Sequence, residues 1–367
     1  MLFSVIGTPS ALGFSGCSLI RMIADAALGS HAFIHASSPD DIKKVWSNID
    51  FSVTKAVVLY SDLPSKALSE LLVSTKAPTV IFSDDYQAIV EFLTQVQNRQ
   101  TMEALRIASQ AICSVCFISL VSEPNVLPVT SAEHKRKLED TILNICEFYS
   151  IEDPPKIAAS IIKHASMARQ STFADFVSQQ QPSPFTGTDN ARVDDLVFPV
   201  EFILHEYAKI GVSKPNPEIS WPTALFLDAA RPGENIKGPI DLLGPSRFLI
   251  YGPYMHLPAG DWHVFVAIEV SENKSRNRLL VEVASFGCVL TGVRTQLPES
   301  GLFKFHIRCR IEDPFLPVEV RFIMLEGAIE GRLWLRQVVF YPMQQGDALD
   351  HDDFESTPKT IKHDLVS

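Results

Sequence analysis

The sequence lacks an excess of positive charge. Its 367 residues carry 32 Lys and Arg against 43 Asp and Glu, which gives a formal net charge of −11. A protein that binds nucleic acid needs a basic face to neutralise phosphates, and docking on anionic lipid has the same requirement. The sequence therefore predicts a protein that binds neither nucleic acid nor an anionic membrane surface.

The sequence also lacks a hydrophobic run long enough to cross a bilayer. Its most apolar segment, residues 107–121, is short of the roughly 20 residues that a spanning helix needs. The N-terminal MLFSVIGTPS has no basic residue ahead of its apolar run, unlike a signal peptide. We expect a buried helix, a buried first strand, no direct membrane insertion and a cytoplasmic location.

Cysteines are few and scattered, six in the whole chain. Cys113 and Cys116 form a CxxC pair, but no second pair and no suitably spaced histidines complete a zinc site. Their neighbours are Ile, Val and Phe. We therefore expect buried, reduced cysteines in a helix and no bound metal.

No complete catalytic motif occurs in the chain. Asp84-Asp85 follows a predicted strand, where an acidic pair could hold a metal or act as a general base, and where it could equally cap a helix. His134 and His205-Glu206 lack a second ligand at the i+3 or i+4 position, so we interpret them as surface or satisfied residues. The sequence therefore identifies no catalytic residue.

Strand and helix patterns alternate over residues 1–125. Apolar runs at 3–6, 55–60 and 78–82 read as strands, and each is followed by a helical pattern. Such alternation predicts a mainly parallel sheet covered by helices. Ligands in this architecture bind at the carboxyl ends of the strands, here the loops at 7–16, 61–64 and 83–85.

The remainder divides into a helical stretch and a strand-rich stretch. Residues 126–212 have helical periodicity and include a linker-like segment at 179–190, rich in Gln, Pro, Ser and Gly. From 213 to 345, short alternating runs separated by turn residues predict an antiparallel β-sandwich or jelly roll. Residues 346–367 read as an acidic disordered tail. The predicted fold class is multidomain, α/β plus all-β, with a helical middle.

The end of the first strand carries a candidate phosphate-binding loop. Gly7-Thr8-Pro9 follows the strand, and Ser15-Gly16-Cys17-Ser18 leads into a helix predicted from Cys17 to Ala27. This order resembles the phosphosulfate-binding loop of P-loop sulfotransferases. The resemblance implies a nucleotide held by Gly7, Thr8, Ser15, Gly16 and Ser18. It also matches Asp62 and Ser69, seven residues apart, to that family's grip on a 3′-phosphate.

The cations that such a site needs are missing. Residues 10–14, between the two ends of the motif, contain no Lys or Arg, and Ser61 takes the place of the family's arginine before Asp62. Charge-assisted hydrogen bonds are roughly twice as strong as neutral ones, so a multiply charged nucleotide would bind weakly here. Arg21, one helical turn further on, reads as a surface residue. We expect no cofactor, with a nucleotide as the alternative.

A second resemblance covers about residues 221–342. The strand end Tyr251-Gly252-Pro253-Tyr254 and the turn Leu257-Pro258-Ala259-Gly260 are similar to carbohydrate-binding-module-like sandwiches, with a galactose-binding-like fold, of bacterial polysaccharide-biosynthesis proteins. This resemblance implies a bacterial protein. It also implies that the partners are carbohydrate or polysaccharide-synthesis proteins.

Sugar binding needs aromatic faces for the rings and polar groups for the hydroxyls. The residues near the turn that could supply these are Arg247, Tyr254, His256 and Asp261. We expect Tyr251, Trp262 and Trp334 in the core instead, because large aromatic residues dominate sandwich cores.

Three functions remain open. The favoured one is an accessory, non-catalytic protein of bacterial exopolysaccharide biosynthesis, a pseudoenzyme that binds glycan or partner proteins and could form an oligomer. The alternatives are a divergent sulfotransferase-like or nucleotide-dependent transferase acting on a polysaccharide or glycolipid, and a scaffold that binds protein alone. The geometry of residues 7–18 separates them, because a hollow lined by amides would keep nucleotide binding open whereas Leu12 or Phe14 filling it would not.

Overall fold

The computed structural model describes residues 1–121, 125–180, 200–210 and 217–343, which divide into two units. The first unit lies within residues 1–180 and combines parallel strands with helices, whereas the second, residues 200–210 and 217–343, consists mainly of antiparallel strands. This confirms the predicted fold class. Most of the predicted linker at 179–190 and all of the predicted tail at 346–367 lie outside the described residues.

Five short apolar strands build the sheet of the first unit. They are β1 (Leu2–Gly7), β2 (His31–His35), β3 (Ala56–Ser61), β4 (Thr79–Ser83) and β5 (Val126–Thr130), all parallel and in the order β2-β3-β1-β4-β5. The three inner strands are buried along almost their whole length, as expected for strands with helices on both faces. The chain leaves β1 toward one side of the sheet and β4 toward the other, so the carboxyl ends of these two strands form a topological switch point.

Helices cover both faces of this sheet. They are α1 (Ala11–Leu28), α2 (Pro39–Trp46), α3 (Lys66–Ser74), α4 (Tyr86–Gln95), α5 (Thr101–Val121), α6 (Leu138–Phe148), α7 (Pro154–His164) and α8 (Phe173–Gln180). One core joins α1, α6, α7 and α8 to one face of the sheet, and a second core joins α3 and α5 to the other. The sequence predicted residues 126–212 as a separate helical segment, whereas the structure makes β5 a strand of the sheet and packs α6, α7 and α8 into the core that α1 shares.

Two of the helices are long and apolar enough to span a bilayer, judged by length and composition alone. Half of the apolar window of α1 and 67% of that of α5 are buried inside the unit, as in core helices. The buried helix expected at 107–121 is therefore present and begins earlier, at Thr101. Its Cys113 and Cys116 are free and buried, and burial raises the pKa of both thiols, that of Cys116 to about 11. Such thiols are inert at neutral pH.

The second unit is a sandwich of two antiparallel sheets preceded by one helix. Its elements are α9 (Val200–Ala208), β6 (Ile219–Trp221), β7 (Leu227–Asp228), β8 (Ile240–Asp241), β9 (Arg247–Tyr251), β10 (Pro253–Met255), β11 (Gly260–Ser271), β12 (Arg278–Ser285), β13 (Cys288–Gln296), β14 (Gly301–Ile311), β15 (Val318–Met324) and β16 (Arg332–Pro342). One sheet has the order β13-β12-β15-β9-β7, with β10 on β15. The other has the order β14-β11-β16-β6, with β8 on β16.

Alternation along the strands decides which side chains fill this sandwich. On β11, Trp262, Val264 and Val266 are fully buried, and the indole nitrogen of Trp262 donates to the carbonyl of Pro258 at 3.1 Å. The prediction that Trp262 is a core residue is therefore confirmed. The residues between these point to the opposite face of the sheet, because successive side chains of a strand alternate in direction. That outer face includes His263 and Phe265, which are only partly buried.

Candidate functional site

The loop after β1 is shorter than the sequence predicts. Only three residues separate the strand from α1, which begins at Ala11 with Ser10 as its N-cap, and the amide of Gly13 donates to Ser10 Oγ at 3.1 Å. The prediction of a loop through Gly16 followed by a helix from Cys17 is therefore wrong. A serine cap satisfies a first-turn amide, and this lets the helix start early in spite of its glycines.

The glycines expected to cradle a phosphate instead bring α1 against the sheet. A Cβ atom at Gly13 would lie 2.0 Å from the carbonyl oxygen of Thr8, and one at Gly16 would lie 2.3 Å from the Phe82 ring. A Cβ at Gly7 would lie 2.9 Å from the Cα of Gly13. These positions are too close for any side chain, so the three glycines serve the packing of α1 on β1 and β4.

The hydroxyl groups expected to hold a nucleotide are engaged with backbone. Ser15 Oγ donates to the carbonyl of Val177 at 3.5 Å, within the fully buried part of α1. Ser18 and Ser69 each donate to the carbonyl four residues earlier in their own helices, at 3.2 Å and 3.0 Å. Thr8, in the loop itself, is fully buried, and its Oγ1 accepts a hydrogen bond from the amide of Asp84. These contacts leave the predicted hydroxyls acting as structural groups of the fold.

A carboxyl group lies at the switch point, near the N-terminus of α1. Asp84 directly follows β4, is 9% exposed, and its amide donates to Thr8 Oγ1 at 3.0 Å. Burial raises the pKa of this carboxyl and the neighbouring Asp85 raises it further, while smaller contributions from His134 and the Ser10 hydroxyl lower it. A phosphate placed at this helix terminus would meet another acid. The geometry therefore disfavours an anionic nucleotide here.

The neighbouring acidic residue has a structural role. Asp85 is the N-cap of α4, and its Oδ1 accepts a hydrogen bond from the amide of Ala88 at 2.8 Å. The sequence left two roles open for Asp84-Asp85, a metal or base site and a helix cap. Asp85 is a helix cap. In the part of the chain that the structure describes, no group of three or more His, Cys, Asp or Glu side chains could hold a metal ion.

The second element matched to a nucleotide grip forms an ion pair instead. Asp62 Oδ1 lies 3.0 Å from His35 Nε2, and this hydrogen bond raises the pKa of the imidazole. The Arg21 guanidinium lies 4.7 Å from the centroid of the Phe33 ring, on the strand β2. Asp62 thus contacts His35, and Arg21, predicted to be a surface residue, lies over the exposed ring of Phe33.

The four glycan candidates of the sandwich do not form one surface. Arg247 lies on β9 and donates to the carbonyl of Asp241 at 2.7 Å, whereas Asp261 lies on β11 in the other sheet and pairs with Arg310 at 3.5 Å. These two candidates therefore belong to different sheets, and each is engaged by a different partner.

The other two candidates are held within the fold. His256 is 6% exposed, and its carbonyl accepts a hydrogen bond from the Tyr207 hydroxyl at 2.7 Å. Tyr254 is half-buried with a φ of 67°, and the pKa of its hydroxyl is raised to about 12 by burial and by Glu319. Both residues contribute to the structure around the cis peptide Gly252-Pro253 and its flanking strands.

A contiguous set of rings lies instead on the outer face of the β14-β11-β16-β6 sheet. The imidazoles of His263 and His306 stack with centroids 4.9 Å apart and 14° between their planes, and His306 Nδ1 lies 3.1 Å from His263 Nε2. Phe265 stands edge-on to His306 at 5.3 Å, and Tyr341 lies 6.4 Å from His263. We call His263, Phe265, His306 and Tyr341 the aromatic face.

Trp334 lies on this side of the sheet as well. It pairs across strands with Glu269 and is only half-buried, and the Arg336 guanidinium, which is ion-paired to Glu269, lies 5.7 Å from its ring centroid. The prediction that Trp334 is a core residue is therefore wrong. The side chains that fill the core from β16 include its neighbours Leu333 and Leu335.

Burial and neighbouring cations keep the two imidazoles of the aromatic face neutral. Burial lowers the pKa of His263, and His306 and Arg308 lower it further. Burial also lowers the pKa of His306, with a further contribution from Lys304. The two rings therefore present uncharged, flat surfaces at neutral pH.

Sequence reasoning missed the aromatic face. It weighed Trp262 as a ligand or core residue but not its neighbours His263 and Phe265, which point the opposite way. The period-2 pattern of β11, with Trp262, Val264 and Val266 as the buried set, was the available signal. Which strands bring His306 and Tyr341 beside them depends on register, which one sequence does not reveal.

No protein-family model and no curated protein matches this sequence. Among solved structures, a mouse sulfotransferase complexed with PAP matches the N-terminal part at 11% identity and a TM-score of 0.32, covering 44% of this chain and 61% of that one. The chain thus spans less than two thirds of that sulfotransferase.

Carbohydrate-binding modules are also among the matches. A module in complex with β-1,4-galactotriose matches at 14% identity and a TM-score of 0.22, covering 35% of this chain and 90% of that one. A xylan-binding module matches at 14% identity and a TM-score of 0.24, covering 35% and 99%. Both kinds of protein that the sequence resembles are therefore represented among these matches.

Proposed function

We propose that this protein binds glycan through the aromatic face, as a non-catalytic accessory of bacterial exopolysaccharide biosynthesis. The observation that carries the proposal is the contiguous set of partly exposed rings formed by His263, Phe265, His306 and Tyr341 on one sheet. Flat apolar rings with polar edges suit a pyranose, which has an apolar face and a rim of hydroxyls. Strands hold such rings more rigidly than loops do.

The placement of these rings supports a binding role. Large aromatic side chains of a sandwich normally fill its core, as Trp262 and Phe340 do here at no measurable exposure. Tyr341, which directly follows Phe340 on β16, is instead 36% exposed. Aromatic rings that cluster on the surface and not in the core are unusual, and such clusters mark interaction surfaces.

The accessory role is supported by the switch point of the first unit. Its glycines pack α1 on the sheet, its hydroxyls bind backbone, and Asp84 lies near the helix terminus where an anionic donor would bind. We propose that this unit serves contacts with partner proteins of polysaccharide synthesis. Turnover of a sulfonucleotide donor with a glycan acceptor would overturn that part of the proposal.

Affinity electrophoresis of the full chain through gels containing soluble polysaccharides tests the binding role. We expect retardation that Phe265→Ala weakens about tenfold, in line with the loss of a central aromatic contact. The matched control is Phe248→Ala, which removes an exposed ring (49%) on β9 of the opposite sheet and leaves retardation unchanged. The proposal fails if no polysaccharide retards the protein, or if both variants lose binding equally.

A divergent nucleotide-dependent transferase is the second candidate, and one observation favours it. Asp84 has a raised pKa next to His134 in the crevice at the switch point, and perturbed acids in such crevices are typical of acid–base catalysis. This candidate requires an adenine or uridine nucleotide at millimolar concentration to raise the melting temperature, through the linkage of binding to folding. An unchanged melting temperature with every nucleotide excludes it.

Binding experiments with the same protein and its variants distinguish glycan binding from the third candidate, a scaffold that binds protein alone. A glycan array without any binding, combined with a partner recovered by pull-down from polysaccharide-synthesis machinery, would favour the scaffold. Retardation that depends on Phe265 would exclude it, because a purely structural ring has no reason to change mobility in a sugar gel.

A further inference from the structure

Strand β14 carries a basic side chain at every outward position from residue 304 to residue 310. These four side chains, which alternate with buried apolar ones, are Lys304, His306, Arg308 and Arg310. Residues two apart on a strand are about 6.6–6.8 Å from each other, so the row is about 20 Å long. No acid occurs within this stretch of the sequence. We call these four side chains the basic row.

The basic row is a local concentration of basic side chains in a chain whose formal net charge is −11. It also borders the aromatic face directly. His306 belongs to both, Arg308 is the cross-strand neighbour of His263, and Lys304 Nζ lies 5.8 Å from the centroid of Phe265. Cations and flat rings are therefore close enough to contact the same ligand.

Two acids on this face belong to exposed ion pairs, whereas a third, Glu218, is exposed near Tyr341 and adds to the effect of burial in raising the pKa of its hydroxyl. Asp261 lies 3.5 Å from Arg310, with both side chains more than half exposed, and Glu269 pairs with Arg336 on β16. Exposed pairs of this kind contribute little to stability, so their arginines can turn to a ligand at small cost. Beside Arg308 and Arg310 a hollow of about 390 Å³ opens, lined also by Asp261, Cys309 and Met343 and by Leu290 and Thr291 of β13.

We infer that the ligand of this face is a linear polyanionic glycan, whose carboxylate or sulfate groups lie along the basic row while its rings lie on the aromatic face. The inference rests on the proposed function and specifies its ligand class. Arginine and lysine form charge-assisted hydrogen bonds to such groups, and arginine can do so with two parallel bonds. Because the whole chain carries a net charge of −11, binding of a polyanion depends on a local concentration of cations such as this row.

The imidazoles of the aromatic face make the binding pH-dependent. His306 faces His263, Phe265 and Lys304, and His263 also faces Arg308 and Tyr341. In the free protein both pKa values are lowered, so both rings are neutral near pH 7. A bound anion favours the protonated form and raises these pKa values, so affinity for an acidic glycan rises as the pH falls. An uncharged glycan gains nothing from the same change.

Matched pairs of polysaccharides test the inference with the full chain. Calorimetry at pH 7 compares dextran sulfate with dextran, and polygalacturonate with its fully methyl-esterified form. We expect the charged member to bind about tenfold more tightly, with the advantage lost between about 50 mM and about 500 mM salt. Preference for sulfate over carboxylate, or the reverse, identifies the anionic group. For the preferred polymer we expect about fivefold tighter binding at pH 5.5 than at pH 7.5.

Paired charge variants assign the effect to the basic row. Lys304→Gln combined with Arg308→Gln should weaken binding of the charged polymer about tenfold and leave binding of its uncharged counterpart unchanged. The control is Arg294→Gln on β13 of the opposite sheet, which also removes an exposed cation and should have no effect. Melting temperatures of all variants confirm that they are folded.

The outcomes separate the inference from the proposed function. Equal binding of charged and uncharged polymers overturns the inference and leaves glycan binding intact. Binding of neither overturns both. Single-stranded DNA bound as tightly as dextran sulfate overturns the glycan inference too, because it shows a site for any polyanion. Loss of binding in Arg294→Gln alone would place the site on the opposite sheet and contradict both proposals.

Discussion

The switch point of the first unit and the aromatic face of the second both contain residue types that bind ligands in other proteins. At the switch point, glycines, hydroxyls and an acid surround a helix N-terminus, but their contacts are already made within the fold. On the aromatic face, rings and cations of β11, β14 and β16 point away from the core. The two regions contain similar kinds of ligand-binding residue. They differ in where the side chains point, which is into the fold at the switch point and away from the core on the aromatic face.

This difference has an energetic reading. A buried hydroxyl that donates to a carbonyl cannot serve a ligand unless that bond breaks, and an unsatisfied buried group costs about 1–3 kcal/mol. An exposed ring loses only solvent when a sugar stacks on it. Residues that build the fold should therefore lower stability when changed, and residues that bind should lower affinity alone.

The largest expected effect compares two residues on opposite faces of β11. Trp262→Ala removes a fully buried side chain and should lower the free energy of unfolding by about 3–5 kcal/mol. Phe265→Ala, on the other face, should lower it by no more than about 1 kcal/mol. Urea unfolding followed by circular dichroism measures both. Similar losses would show that the outer ring is as much part of the core as the inner one.

The next effect concerns the glycines under α1. Gly16→Ala places a Cβ 2.3 Å from the Phe82 ring and should destabilise the first unit by about 2–3 kcal/mol, although alanine favours helix formation. Gly238→Ala, where a Cβ meets no atom within 4 Å, should stay within about 0.5 kcal/mol of the parent protein. A neutral Gly16→Ala, read from the same denaturation curves, would reopen the possibility of a roomy phosphate loop.

A smaller effect separates two serines of the same motif. Ser10→Ala removes the N-cap of α1 and should cost about 1 kcal/mol. Ser18→Ala removes a hydroxyl bonded to its own helix and should be neutral or stabilising by up to about 0.5 kcal/mol. Thermal unfolding of both variants distinguishes them. Equal destabilisation would mean that Ser18 has a partner beyond the helix.

The smallest effect is a dependence of stability on pH. The folded pKa of His35 is raised by Asp62, so the pair stabilises the fold fully below the unfolded pKa of about 6.5 and loses that contribution as the pH rises through the folded value. Both side chains are partly exposed, so the contribution stays below about 1 kcal/mol. The melting-temperature difference between the parent protein and His35→Gln should therefore be larger at pH 5.5 than at pH 8. An equal difference at both pH values contradicts the assignment.

Sequence patterns were sufficient to predict features that depend on a single strand or helix. The apolar runs of the first sheet, the buried helix α5 and the inward Trp262 were all predictable because local alternation and length determine them. The start of α1 was not, because glycines usually weaken a helix, and here Gly13 and Gly16 are explained by close contacts with Thr8 and Phe82 that the sequence does not reveal. The strand β13 is hard to recognise from the sequence, because most of its side chains are exposed and no buried set of alternate residues marks it.

The candidate site was less predictable than the fold. Tyr254 and His256 are near a turn in sequence, but the structure shows their environment to be part of the sandwich. The aromatic face draws its rings from three strands, and the pairing of Phe265 with His306 is a fact of register. Sequence proximity was therefore a poor guide to which side chains share a surface.

The central position of β1 has a consequence for synthesis of the chain. β1 is made before both of the strands that it pairs with, β3 and β4, which end at residues 61 and 83. A third contact of this strand comes from still further along the chain, because the hydroxyl of Tyr149 donates to the carbonyl of Ser4 at 2.6 Å. An apolar strand that waits for partners so far along the chain is exposed while the ribosome proceeds, because non-local pairing forms slowly. The interval between the synthesis of β1 and that of β4 is therefore the stage at which this strand is most exposed to aggregation.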